Sequence, residues 1–489
     1  MYESINNYIN LYRYNIALLY IRRVVYMDIR KFIIFLVAIP LFAGIENLTL
    51  SKALQIVKKD NLDIKIAKFN EEMKRYEAKV ATGYSLGKLD LTVQGMKSND
   101  AGNVFGFKLQ SREATFGDFG FDEFLEPLGG AIYGASQGVA PSDMSGLLTQ
   151  QPKNLNHADS RNHYVSKLTL MLPIFTGGKL HNYRKIANRM YELSTLDTQK
   201  VRNTKIFETK KTYYDITLVE NYIQNLSKII SNINRLEGVV RNMQKEGYAK
   251  DIDLLEVQAR KAEAKSMYEQ AKLNRELAYQ YLSFLLNREV SSIKRVSDMA
   301  ATPRVSKADV SKNLDIQKAL KGLEVATMAV SVERSNFLPQ IGAFAEYGSA
   351  DDKFLNEFKD KDFYTVGVQL KWNIFNGGID KHNLEKAKLK KMQVASQVQL
   401  AKKGIALHVK KLQSEIQTAN NNIKSFTAQY RFATKVYQNY HARYKEGMVS
   451  ISDLLIKQSK QLEMLLKLLT AKNSRNYKVF ELNSILNRG

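Results

Sequence analysis

One stretch of this chain occurs twice, and the interval between its copies limits what the chain can build. Leu170-Met171-Leu172-Pro173-Ile174-Phe175-Thr176-Gly177-Gly178 returns 200 residues later as Leu370-Lys371-Trp372-Asn373-Ile374-Phe375-Asn376-Gly377-Gly378. The same offset relates Lys245-Glu246-Gly247 to Lys445-Glu446-Gly447 and Asp253-Leu254-Leu255 to Asp453-Leu454-Leu455. It still holds between Leu286-Asn287-Arg288 and Leu486-Asn487-Arg488. A second offset, of 252, relates Asn61-Leu62-Asp63-Ile64 to Asn313-Leu314-Asp315-Ile316. This is the pattern of an internal tandem duplication into two large units, because a period so long excludes a solenoid of short repeats. The expected boundaries are 44–289 for the first repeat, 290–312 for a linker and 313–489 for the second repeat.

Proline placement makes both units mainly helical. None of the seven prolines lies between Pro173 and Pro303, and none follows Pro339, which leaves room for uninterrupted helix. Ile216, Val219, Ile223, Leu226, Ile230, Ile233, Leu236, Val240 and Met243 step by three and four, a heptad-like seam. A helix over 179–246 would be roughly 100 Å long at ~1.5 Å per residue. After the turn at Gly247 a second helix, 251–287, must fold back along it. Residues 48–84 read as a further helix. Gly177-Gly178 and Gly377-Gly378 then serve as strand-to-helix turns, and Gly247 and Gly447 as tight turns at the helix tips.

Between these helices the periodicity changes from three-to-four to two. Leu89, Leu91 and Val93 alternate with Asp90, Thr92 and Gln94. Leu168, Leu170, Leu172 and Ile174 alternate with Lys167, Thr169 and Met171. Ile341, Ala343, Ala345 and Tyr347 form a third such face. Tyr364, Val366, Val368, Leu370, Trp372 and Ile374 form a fourth. Period two means four strands, each with one apolar and one polar face. The two halves differ in the link between their strands. Residues 97–163, rich in Gly, Phe and Asp, read as one long surface loop on which the aromatics can impose partial order.

Composition narrows the function. The formal net charge is +24. Such a charge suits either the solvated faces of long helices or an anionic partner, so a basic coiled-coil scaffold or nucleic-acid-binding protein stands as the rival reading. No cysteine is present, which removes disulfides, thiol catalysis and cysteine-based zinc sites. The six histidines lack metal-ligand spacing, and no P-loop or G-x-S-x-G occurs. Neither an enzyme nor a cofactor is implied. Residues 27–43 have a short basic region, an apolar run and a small residue before Gly44, the layout of a secretory signal peptide. Met27 is then the expected start, and 1–43 comprises an upstream extension and the signal.

Four amphipathic strands cannot close on themselves. In lipid, an open edge leaves backbone groups unsatisfied at several kcal/mol each. The economical solution is several chains sharing one barrel, polar faces inward, with the helices continuing the tube.

With these features together the chain resembles the TolC-type outer-membrane efflux proteins. The resemblance rests on Pro173–Gly178, its echo Asn373–Gly378, the Gly-x5-Asp-Leu-Leu turns at Gly247–Leu255 and Gly447–Leu455, and Leu338-Pro339-Gln340, and it spans about 48–489. It implies a homotrimer with a twelve-stranded outer-membrane β-barrel, four strands per chain, above a long α-helical barrel in the periplasm of a Gram-negative bacterium. It also implies outer-membrane lipid, a periplasmic adaptor and an inner-membrane pump or ABC exporter as partners, with no nucleic acid. The function that follows is the outer-membrane channel of a tripartite efflux or type I secretion system. The expected periplasmic tip and gate comprise Lys245, Glu246, Gly247 and Asp253 in the first repeat and Arg443, Lys445, Glu446, Gly447 and Asp453 in the second. Asp453 takes the family's first acidic gate position, and Asp253 is its repeat partner. The family's second acid is replaced by Ile456, with Glu256 at that place in the first repeat. Asp253 and Asp453 equally suit plain helix N-caps.

Overall fold

The structure, a computed structural model, describes residues 44–488 apart from 139–145 and 147–148. The expected signal segment therefore falls outside the described residues. The chain divides into two compact units. One comprises residues up to Asn61, Lys205–Ala300 and Ala419–Tyr477; the other comprises Leu62–Thr204, Ala301–Thr418 and the C-terminal stretch from Lys478.

The helices are α1 (Leu50–Asp60), α2 (Leu62–Gly83), α3 (Ala101–Gln110), α4 (Phe121–Ser136), α5 (Lys179–Lys245), α6 (Asp251–Leu286), α7 (Leu314–Ser335), α8 (Ile379–Lys445) and α9 (Ile451–Ile485). Single turns at Phe116–Phe119, Lys153–Asn156 and Lys307–Ser311 complete the described helical elements. Helices α5 and α8 each have 67 residues, about 100 Å of rise. In α5 the seam turns inward as its spacing requires. Leu226, Ile233 and Val240, one heptad apart, are buried, as is Ile216.

The helix expected over 48–84 is interrupted at Asn61, and the cause is a buried hydrogen bond. Asn61 adopts an extended backbone and its side-chain amide donates to the Leu285 carbonyl at 2.8 Å. In the other unit Asn313, from the matching Asn-Leu-Asp-Ile stretch, donates to the Ile485 carbonyl at 2.9 Å. Each asparagine satisfies an orphan carbonyl near the end of a return helix. The first unit is centred on Tyr213. Its ring is packed among Leu48, Val57, Ile216, Leu282 and Ile293. Its hydroxyl lies 2.8 Å from the Leu48 carbonyl and 2.5 Å from that of Lys294.

The second unit carries one antiparallel sheet in the order β1-β2-β3-β4. The strands are β1 (Lys88–Ser98), β2 (Arg161–Phe175), β3 (Gln340–Asp351) and β4 (Asp362–Lys371). All four strands meet their helices at the same end of the sheet, and the β1–β2 and β3–β4 links lie at the other. Two boundaries differ from the sequence reading. β4 stops at Lys371 instead of running to Ile374, because its ladder partner Gln340 is the first residue after Pro339, which has no N–H to give. Trp372 turns away and its indole N–H donates to the Phe337 carbonyl at 3.2 Å. Residues 97–163 form no plain loop, since they contain α3, α4 and two single turns, and β2 begins within them at Arg161.

Candidate functional site

The sheet has two faces of opposite chemistry. Leu89, Leu170, Ala345 and Val366 form a row across all four strands, and Leu91, Leu168, Tyr347 and Tyr364 form the next. Leu172, Ala343 and Val368 extend the face toward the helices. On the opposite face Asp90, Thr169, Glu346 and Thr365 make one row, with Thr92 and Lys167 beside them. Lys167 Nζ lies 2.9 Å from Glu346 Oε1, and the Thr169 hydroxyl donates to the same oxygen at 3.2 Å.

Ordinary burial would hide the apolar face, yet Leu91, Tyr364, Val366 and Val368 are each more than two-thirds exposed. A contiguous apolar face of this kind marks an interaction surface. Aromatic side chains bound it. Tyr164 and Tyr347 pack against Phe354 and Phe358 at the loop end, and Trp372 sits at the helix end. Tyr364 to Trp372 is eight residues, about 27 Å along an extended chain. No described helix is long and apolar enough to cross a membrane.

The junction between sheet and helices needs glycine at one point in particular. Gly177 has φ +62°, and a Cβ there would meet the Ser335 carbonyl oxygen at 2.7 Å. Gly178, Gly377 and Gly378 share the positive φ.

The tips lie in the first unit. Gly247 and Gly447 both have left-handed backbones that end α5 and α8. Tyr248 N–H returns to the Met243 carbonyl at 2.7 Å, and Met448 N–H to that of Arg443 at 2.9 Å, the C-terminal closure a Gly permits. Neither Asp253 nor Asp453 is the N-cap residue itself. Lys250 stands at the N-cap of α6, and the Ser450 hydroxyl accepts the Asp453 N–H at 3.1 Å ahead of α9, so both acids lie three positions inside, where their carboxylates reach back to the cap. Asp253 takes the Lys250 backbone N–H at 2.9 Å, and Asp453 takes the Ser450 hydroxyl at 2.7 Å. Lys245, Glu246, Lys445 and Glu446 are exposed on the turns. Arg443 lies over the Tyr440 ring at 5.9 Å, and Lys457 lies over the same ring at 5.1 Å. Beneath the turns Val240, Val257, Tyr444, Leu454 and Leu455 share one core, so the two turns are packed together.

Glu256 is the residue that the sequence reading left out of the tip set. The Ser452 hydroxyl donates to its carboxylate at 2.8–2.9 Å, tying α6 to α9. Its spacing of three from Asp253 was the available signal, since that puts both acids on one helix face.

Comparison with known proteins places this architecture. The family model for outer membrane efflux proteins matches residues 134–288 and 308–488. The chain belongs to the outer membrane efflux protein family. Among curated proteins it is similar to the alkaline protease secretion protein AprF of Pseudomonas aeruginosa, 23% identical over 262 residues. The aligned stretch covers 50% of this chain and 53% of that protein, so the chain spans about half the length of this relative. Solved structures share its fold at low identity. CusC aligns with TM-score 0.73 and 14% identity, over 92% of this chain and 96% of that one. The CmeC outer membrane channel of Campylobacter jejuni aligns with TM-score 0.72 and 18% identity, over 90% and 86%. The MtrE outer membrane channel of Neisseria gonorrhoeae aligns with TM-score 0.70 and 16% identity, over 90% and 88%. Family membership favours the efflux reading of the sequence over the basic scaffold.

Proposed function

We propose that this chain is one of three in an outer-membrane channel that serves a tripartite efflux or type I secretion system. The observation that carries the reading is the open sheet, apolar and exposed on one face and polar on the other, with β1 and β4 each paired along one edge only among the described residues. An unpaired edge in lipid costs several kcal/mol per backbone group. Pairing β1 of each protomer with β4 of the next removes that cost. Twelve strands about 4.8 Å apart, tilted by roughly 40°, enclose a barrel about 24 Å across. Its apolar face meets outer-membrane lipid and its polar face lines the water path. The equivalent bonds of Asn61 and Asn313 support the tandem-duplication reading of the chain.

Helices of about 100 Å, leaving the sheet at the end opposite the loops, reach deep into the periplasm. The turns at Gly247 and Gly447 then form the mouth that meets a periplasmic adaptor and an inner-membrane pump or ABC exporter. Asp253 and Asp453 have a second role there beyond capping. Around a threefold axis their carboxylates ring the opening, where clustered negative charge favours cations. The relative named for protease secretion supports the secretion arm, and the channel fold supports the efflux arm.

Purified protein run unheated on a denaturing gel should migrate as a trimer and form conducting channels in planar bilayers. Cell fractionation should place it in the outer membrane. Recovery as a soluble monomer that binds DNA in a salt-sensitive manner and conducts no ions would overturn the reading.

A further inference from the structure

The first helix of the β1–β2 link lies against the sheet, and the register identifies the face it covers. Phe107 of α3 stacks on the His163 imidazole, centroids 4.1 Å apart and planes 7° from parallel. Gln110 Oε1 is 2.9 Å from His163 Nε2. Arg161 donates to the Ser111 hydroxyl at 2.9 Å and to the Glu113 carboxylate. Arg161 and His163 alternate along β2 with the same parity as Lys167 and Thr169, so α3 covers the outer end of the polar face. Ala350, on that face opposite Val165, is fully buried, and Val104 and Phe107 are buried as well.

A second set of contacts fixes α3 to the β3–β4 link. Lys361, only 8% exposed, bonds Asp351 at 2.7 Å, Glu357 at 3.2 Å and Glu113. Its ammonium thus supplies the positive charge among carboxylates, Glu113, Asp351 and Asp352, that are otherwise close enough to hold a metal ion. Arg112 donates to the Asp360 carbonyl at 3.0 Å and to that of Asp362 at 2.5 Å. Glu113 therefore bridges two cations at two strand ends, Arg161 as the first residue of β2 and Lys361 just before β4.

We propose that α3 is a strap across the outer opening of the channel, held down by the Glu113 bridge between Arg161 and Lys361. The proposal rests on the channel reading, in which the polar face lines the water path. Three such helices, each about 10 Å across, take up most of an opening about 24 Å wide. The strap thereby sets the width available to cargo at the external end, independently of the periplasmic tips. Phe105 against Phe119 and Lys108 against Asp118 back it on the side away from the sheet.

The absence of cysteine makes the test clean. Met171 lies on the polar face nearer the helices than the strap, and is 57% exposed. Met171→Cys in the full-length protein, reconstituted in lipid vesicles with the loop end outward, reports passage through the outer opening alone. A small membrane-impermeant maleimide should label it slowly, and a polyethylene-glycol maleimide should not. Glu113→Lys repels both cations and should raise the small-reagent rate about ten- to a hundredfold, the population shift expected for losing charge-assisted bonds. It should also admit the large reagent, and Glu113→Gln should fall between. Replacing 101–113 by a Gly/Ser segment of equal length should match Glu113→Lys, with trimer assembly checked on unheated gels. Fast labelling of the parent by both reagents, or rates unchanged in assembled Glu113→Lys and strap-replaced trimers, would overturn the strap and leave the channel standing. No labelling at Met171→Cys even without the strap would overturn both.

Discussion

Neighbouring residues on β4 offer the sharpest test of the membrane reading. Val366 and Thr365 are adjacent in sequence and both exposed in the isolated protomer, so burial within the chain does not separate them. Their faces do. Val366 continues the Leu89–Leu170–Ala345 row, and Thr365 continues the Asp90–Thr169–Glu346 row. The Val366 row lies near the middle of the strands, between the aromatics at the two ends. An arginine on the lipid side near the bilayer midplane costs about 2–4 kcal/mol, whereas a polar-lined interior tolerates it. At ~1.4 kcal/mol per decade, Val366→Arg should lower the folded-to-unfolded ratio roughly 30- to 1,000-fold per protomer, and the proposed trimer would carry three copies. Thr365→Arg should stay within about 0.5 kcal/mol of the parent, as surface changes usually do. The assay is denaturant titration in lipid vesicles, with the heat-sensitive trimer band as a second readout. Equal effects of the two substitutions, or greater damage from Thr365→Arg, would refute the assignment of faces.

Three further outcomes follow from named contacts. Tyr213→Phe removes the one hydroxyl proton shared between the Leu48 and Lys294 carbonyls, of which Leu48 keeps the Lys294 N–H at 2.9 Å, and should cost about 1–3 kcal/mol in unfolding experiments without changing the assembled band on unheated gels. Asp453→Asn keeps an oxygen to accept the Ser450 hydroxyl but removes the charge. Stability should stay within about 0.5 kcal/mol, while cation selectivity in bilayers falls; unchanged selectivity would leave Asp453 as a cap alone. Burial works against the Glu113 charge, but hydrogen bonds from Lys361 and Arg161 outweigh it and hold its pKa below the ordinary 4.5. A depressed carboxylate stabilises fully above its unfolded pKa and loses that contribution as pH falls through the folded value. Burial, aided by Arg161, likewise holds the His163 pKa below the ordinary 6.5. Hydrogen exchange over 101–110, corrected for intrinsic rates, should therefore be flat above pH 6.5, begin to accelerate below it as His163 resists protonation, and accelerate further below pH 4.5 as Glu113 is protonated.

What was legible in the sequence was whatever repeats or alternates. The 67-residue helices and the face assignment of each strand follow from local spacing, because one strand's parity needs no knowledge of its neighbours. Pairing partners were not legible. β2 and β3 are joined through the whole of residues 176–339, and nothing local says that Leu170 will face Ala345. The helices of the β1–β2 link were not legible for a related reason. α3 is held by single long-range bonds, Glu113 to Arg161 and Lys361, and Gln110 to His163. Such bonds leave no periodic trace, and Gly102 and Gly106 weaken the helical signal they support. The tip acids show the limit most clearly. A spacing of six from Gly to Asp places the carboxylate at a helix start in either repeat, which suffices for a cap. Whether it also faces carboxylates of two other chains depends on symmetry, which a single chain's sequence does not encode. The edges of the sheet carry that information in physical form: among the described residues β1 and β4 each present one unpaired row of N–H and C=O groups beside an apolar face, and in the proposed membrane setting such a surface is stable only when another copy completes it.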